Sequence, residues 1–247
     1  MFDSDSQAWP TAPAVARELQ RELASLVSLR DGPQLREVRI VAGVDNAYVK
    51  TAGETWACAA AVALAFPSLT PLTTAIAWRA VTFPYVPGLL AFREGPAVVA
   101  AIATLDVAPD LFLFDGQGYA HPRRLGLASH LGVLLGRPSI GCAKSRLIGA
   151  YEEPEQIFGA WTPLIDRGET VGAVVRTRPG HKPLFVSPGH QISVARAVTM
   201  TLGCCRDGRF LPEPTRLAHE TVSKERDERA HAPAFIAAAS ARERESS

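Results

Sequence analysis

Residues 111–126 read LFLFDGQGYAHPRRLG. Four apolar residues, Leu111 to Phe114, have the length and flanks of a buried strand. Asp115 stands where that strand ends, Gly116 and Gly118 follow, and His121-Pro122-Arg123-Arg124 is predicted to open an apolar-periodic helix. A carboxylate at a strand end beside glycines and a basic helix start can hold a cation and a phosphate: the glycines let backbone approach, and the helix N-terminus offers unpaired N–H groups. The same residues also satisfy a plain Asx turn after a strand.

Working outward, a helix is predicted over 11–29, with Val15, Leu19, Leu23 and Leu26 on its apolar stripe. Residues 38–49, 56–66 and 72–81 follow as three strands joined by short turns, an antiparallel meander. Asp45 lies inside the first of them, where a carboxylate is solvated, paired or coordinating. Pro84-Tyr85-Val86-Pro87-Gly88 excludes regular structure and holds Tyr85 between prolines, as a stacking wedge or a loop anchor. A helix over 89–105 carries Glu94, either solvated or aimed back at the strand ends. Because that helix separates strands, the 111–115 strand is expected to run parallel to an earlier one.

Downstream, a short strand over 137–142 leads to Lys144, which alone reads as a surface lysine, and His130 alone reads as a core histidine. Residues 151–163 read as loop, and 170–177 with 183–186 as a late hairpin. Ser187-Pro188-Gly189-His190 is expected to lead into a helix over 193–202, and Thr215 to cap a final helix bearing His219. The first 230 residues are expected to form one domain, and 231–247, rich in alanine and charge, a disordered tail.

The 247 residues carry a formal net charge of +1, so a nucleic-acid site must be a local patch. Four cysteines (Cys58, Cys142, Cys204, Cys205) lack zinc-ligand spacing and suit a reducing, cytoplasmic setting. The N-terminal MFDSDSQAWP lacks a signal-peptide core, and apolar runs are broken too often to span a membrane. Asp45, Glu94 and Asp115 are three acids on or near core elements, a set suited to a hard divalent cation, with His219 able to complete the shell or move a proton.

Six runs give these residues a common context: VAGVD (41–45), FPYVPGLLAFREGP (83–96), LFDGQGYAHPRRLGLASHLG (113–132), GCAKSRLIG (141–149), FVSPGH (185–190) and PEPTRLAHE (212–220). In this order they resemble endonuclease V, the deoxyinosine 3′-endonuclease family. The resemblance implies an α/β, ribonuclease H-like fold with a central mixed β-sheet flanked by helices. It implies Mg²⁺- or Mn²⁺-dependent hydrolysis of the second phosphodiester bond 3′ to a deoxyinosine in DNA, leaving 3′-hydroxyl and 5′-phosphate ends, as in DNA repair. Asp45, Glu94 and Asp115 match the metal-site positions, and His219 and Lys144 match further catalytic ones. Tyr85, within Pro84, Pro87 and Gly88, matches the wedge that fills the gap left by a flipped base. Gly116, Gly118, His121, Gly126 and His130 match the base pocket, and Arg123 and Lys144 match positions for phosphate contact. Asn46 and the 231–247 tail depart from the family pattern.

Two other readings share these residues. One is an endoribonuclease for inosine in single-stranded RNA, since 2′-hydroxyl recognition depends on loop geometry. The other is a non-catalytic module binding inosine-containing or branched nucleic acid, which would have no need of three carboxylates. No obligate protein partner is expected, and the chain is expected to be a monomer.

Overall fold

The computed structural model describes residues 9–50, 54–206 and 208–230. Eight strands form one sheet in the order β3-β2-β1-β4-β5-β8-β7-β6. They are β1 (Ile40–Lys50), β2 (Thr55–Ala65), β3 (Thr70–Ala80), β4 (Leu111–Phe114), β5 (Ser139–Ala143), β6 (Trp161–Asp166), β7 (Glu169–Val175) and β8 (Leu184–His190). The first three form the expected antiparallel meander, β1, β4 and β5 run parallel, and β8, β7 and β6 continue antiparallel. This mixed sheet with its helices is the ribonuclease H-like α/β fold that the six runs imply.

Helices α2 (Leu90–Ala103) and α3 (Leu127–Leu135) cover one face; α4 (Val194–Gly203) and α5 (Glu213–Ala230) cover the other, and α1 (Pro13–Ala24) rests on α3. Alanine makes this layering close. On β2, Ala57, Ala59, Ala61 and Ala63 face α2, while Cys58 and Ala60 pack with Val222 of α5. A Cβ on Gly43 of β1 would lie 2.0 Å from the Pro214 backbone, so only glycine lets the start of α5 sit on the strand. One helical turn beyond that contact is His219.

Several local expectations change. The 121–126 segment is a turn and α3 starts at Leu127, because Pro122 is followed by Arg124 with φ +57°, which no helix accommodates. Residues 187–190 are strand: Pro188, which has no N–H to donate, falls where the β5–β8 register shifts. The edge strand β6 was hidden in a predicted loop because Trp161, Pro163 and Ile165 point outward and only Leu164 is buried. Thr215 lies inside α5, its hydroxyl donating to the Pro212 carbonyl at 3.0 Å, so it is not an N-cap. The first helix ends at Ala24, short of the expected 11–29; its buried residues are Ala16 and Gln20, whereas Val15 is exposed, as is Leu26 beyond the helix end, so the inward face lies one residue away from the predicted stripe. Helical structure runs to Ala230, and the expected tail, 231–247, lies outside the described residues.

Candidate active site

The parallel register between β1 and β4 brings the first two acids together. Val44 pairs with Phe114, and the Asp115 N–H donates to the Val44 carbonyl at 3.0 Å. Asp45 and Asp115 are therefore the next residues along two neighbouring strands. From α5, His219 Nδ1 lies 2.7 Å from Asp45 Oδ2. Asp45, Asp115 and His219 each offer a donor atom within 4.8 Å of the others. Lys144, just past β5, donates to Asp115 Oδ2 at 2.5 Å. These side chains line a cleft of about 430 Å³, with Arg226 also on its wall.

Burial pushes the Asp45 carboxyl up from its ordinary pKa, and the neighbouring Asp115 charge adds to this, against a 2.7 Å hydrogen bond from the Asn46 N–H to Oδ1. A divalent cation relieves the charge that Asp115 sets beside the buried Asp45 carboxylate, and a carboxylate–carboxylate–imidazole donor set suits a hard ion. The residues present therefore fit a divalent metal ion.

Glu94 stands outside this group of three. It lies on α2, 8% exposed, and accepts a hydrogen bond from the Tyr48 hydroxyl at 3.0 Å. Burial lifts its pKa to about 8, with the Asp45 and Asp115 charges adding to the shift. Glu94 is thus a neighbouring carboxyl group that senses the site's charge.

A second cavity, of about 480 Å³, opens on the other side of the Asp115–Lys144 pair, which lines both spaces. Tyr85, 74% exposed, stands on its wall beside Pro87 and Gly88, while Pro84 does not line it. Gly126 lines it too, and a Cβ there would lie 2.4 Å from the Gln117 carbonyl. The Gly88 carbonyl anchors the 84–88 loop: it accepts from Gln20 Nε2 at 2.9 Å and Arg123 Nη2 at 2.8 Å, with His121 Nε2 at 3.1 Å. Because His121 Nδ1 accepts from the Arg123 N–H at 3.2 Å, the donor on that ring is Nε2. Burial pushes the His121 pKa down to about 4, and the charge of Arg123 helps, so the ring is neutral near pH 7.

Other residues of the 111–132 stretch have structural work. Gly116 and Gly118 do not line the cavity; Gln117 does, and a Cβ on Gly118 would lie 2.3 Å from the Pro188 carbonyl of β8. Arg123 is committed to Gln20 and Gly88 rather than presented to a phosphate. Arg124 bridges Asp166 and Glu169, each at 2.9 Å, and so clamps the β6–β7 hairpin. His130 is fully buried, stacked on Trp9 at 5.5 Å and edge-on to Phe92 at 4.9 Å, and is not part of the cavity. Burial pushes its pKa down to about 4.

Gln20 and Tyr48 are site residues that the sequence reading passed over. Gln20 is 1% exposed and also donates to the Leu125 carbonyl at 2.9 Å, joining the 84–88 loop to the cavity wall. Its signal was present: it follows Ala16 by four residues, which puts a polar side chain on a buried helix face. Tyr48 follows Val44 and Asn46 at strand period, on the face turned toward α2.

Comparison with known proteins places the sequence and the fold. A family model described as endonuclease V matches residues 21–220. An endonuclease V from Roseiflexus sp. (strain RS-1) is 51% identical over 225 residues, covering 90% of this chain and 97% of that relative. The crystal structure of an endonuclease V from Streptomyces avermitilis superposes with a TM-score of 0.82 at 41% identity, covering 92% of this chain and 97% of the other. Endonuclease V from Ciona intestinalis, in complex with a 24mer DNA containing an inosine followed by a ribo-adenosine, superposes with a TM-score of 0.73 at 29% identity, covering 87% of this chain and 98% of the other. With most of its length matched in sequence and in fold, this chain belongs to the endonuclease V family of nucleases.

Proposed function

We propose that this chain cuts DNA at deoxyinosine, hydrolysing the second phosphodiester bond 3′ to the lesion and leaving 3′-hydroxyl and 5′-phosphate ends. The observation that carries this reading is the shared wall: Asp115 and Lys144 line both the acidic cleft and the cavity beside Tyr85. A nucleotide held in the cavity therefore places its neighbouring phosphate at the carboxylates. The complex of the Ciona relative with inosine-containing DNA supports the substrate.

In this mechanism Asp45 and Asp115 would hold a Mg²⁺ or Mn²⁺ ion, with Glu94 as the adjoining carboxyl group. Such an ion, when bound, would lower the pKa of a water and offset charge on the phosphate. Lys144 contacts the phosphate from the opposite side of Asp115. Asp45 orients His219 through Nδ1, leaving Nε2 to carry a proton to or from the reacting oxygens. Tyr85 stacks where the extruded base leaves the duplex, which offsets an unstacking cost of a few kcal/mol. The neutral His121, Gly126 and Gln117 surround the base within the cavity.

The test is a labelled duplex carrying a single deoxyinosine, incubated with Mg²⁺, with product ends mapped at nucleotide resolution. A nick at the second phosphodiester 3′ to inosine supports the reading. Inosine-dependent binding without a nick makes the chain a binding module. A nick only when the inosine strand is RNA moves the substrate and keeps the site.

A further inference from the structure

A third cleft, of about 720 Å³, adjoins the base cavity and shares Lys144, Ser145 and Arg146 with it. Its wall includes Arg176, 1% exposed, whose guanidinium is tied to Glu153, to the His181 carbonyl and, at 3.2 Å, to the Pro154 carbonyl. These bonds join the 153–154 segment to the turn between β7 and β8, so the walls are set in advance of any ligand.

The lining is cationic and aromatic. Lys144, Arg146, Arg176 and Lys182 face one carboxylate, Glu153, in a molecule whose formal net charge is only +1. Lys144 is paired with Asp115 and Arg176 with Glu153, whereas Lys182 is exposed and makes no salt bridge among the described residues. The Arg146 guanidinium lies 5.7 Å over the Tyr151 ring, which is braced edge-on by Phe185 at 5.5 Å. A guanidinium on a braced ring is a flat cationic platform: its face takes a base and its edge takes a phosphate.

We propose that this cleft is a second nucleic-acid subsite, carrying unpaired nucleotides next to the inosine on the same strand. Lys182 contacts a phosphate and the Arg146–Tyr151 platform takes a base. Continuity with the base cavity through residues 144–146 is what selects a nucleic-acid strand over other anions. This inference rests on the inosine-directed reading above.

The experiment measures binding in EDTA by fluorescence anisotropy. The ligands are a short single-stranded deoxyinosine oligonucleotide and two versions extended on the 5′ or the 3′ side, each with an adenosine counterpart. The readout is the ratio of extended to short affinity. In the wild type one extension is expected to tighten binding roughly tenfold. Lys182→Glu removes most of that gain and lowers the salt slope by about 0.7. Tyr151→Ala reduces the gain as well, with thermal melting as the control for folding. Arg30→Glu, the same charge change on an exposed residue outside all three cavities, leaves the ratio as in the wild type. An inosine preference with an extension gain untouched by Lys182→Glu, or lowered equally by Arg30→Glu, overturns the subsite alone. No preference for inosine over adenosine in any oligonucleotide overturns both the subsite and the reading beneath it.

Discussion

Lys144 Nζ lies 2.5 Å from Asp115 Oδ2, on an acid that lines both the acidic cleft and the cavity beside Tyr85. A cation at that distance competes with a metal ion for the same oxygen and also stands ready for a phosphate. Its removal should therefore split two measurable quantities. Lys144→Gln is expected to tighten Mn²⁺ binding severalfold, a modest gain because the ammonium is partly exposed. The same change should slow single-turnover cleavage by roughly 10²-fold, as expected for lost charge stabilisation at a reacting phosphate. Titration calorimetry and rapid-quench kinetics on one preparation decide between this and a structural role, which would weaken both.

Glu94 gives the metal-free chain a pH dependence of definite sign. Its folded pKa is pushed up to about 8, chiefly by burial, so between the ordinary carboxylate range and that value the folded chain keeps a proton that the unfolded chain has released. Stability is fully present at low pH with respect to this group and is lost as pH rises through about 8. Glu94→Gln mimics the protonated acid. In EDTA it should come close to the wild type near pH 4 and exceed it by about 4 kcal/mol near pH 8, read by denaturant melts. The two histidines pushed down to about 4, His121 and His130, oppose this on the acid side: the unfolded chain takes up their protons first, so stability falls as pH drops from the ordinary histidine range toward 4.

Gly43 is the contact on which the His219–Asp45 approach depends. Gly43→Ala places a methyl group against the Pro214 backbone, neither of whose partners can rotate away. It should cost about 1–3 kcal/mol of stability and push α5 off β1. Cleavage should fall further than the melting shift alone explains, because His219 leaves Asp45. A crystal structure of the variant with the 2.7 Å His219–Asp45 distance intact would refute this coupling.

Gln20 holds the wedge loop to the cavity wall through the Gly88 and Leu125 carbonyls. Gln20→Leu keeps the volume and deletes the donors, leaving a buried carbonyl short of partners at about 1–3 kcal/mol. The ratio of inosine to adenosine affinity should fall with it, since Tyr85 and His121 hang from the same loop contacts. Unchanged discrimination at reduced stability would make Gln20 a packing residue only.

How much of this was readable from the chain depends on the distance over which each residue acts. Asp45 was visible as an acid inside one predicted strand and Asp115 as an acid at the end of another, and the helix before the second implied that it runs parallel to an earlier strand; that the partner is β1, which sets the two acids side by side, came from the structure. His219 lies 174 residues from Asp45; its residue type made it a candidate to complete the acidic set, and the likeness of the PEPTRLAHE run to a known family gave it a place there. His130 read by itself as a core histidine, which it is; the family likeness set it and Gly118 in the base pocket, and packing against Trp9 and against the β8 backbone keeps both off the cavity wall. Strand β6 escaped because an edge strand needs only one buried residue, here Leu164. Gln20 escaped because the stronger leucine stripe of its helix drew the reading one residue away from the face that packs.

The most direct single measurement is cleavage of a deoxyinosine duplex by wild type and Asp115→Asn, each in Mg²⁺ and in EDTA. The substitution keeps the side-chain shape and removes the charge shared by the cleft and the cavity. The expected result is a nick 3′ to inosine by the wild type in Mg²⁺ alone, with Asp115→Asn slower by roughly 10³-fold yet still binding the inosine strand. A nick that persists in EDTA, or Asp115→Asn cutting at the wild-type rate, would contradict a metal-dependent site built on Asp45 and Asp115.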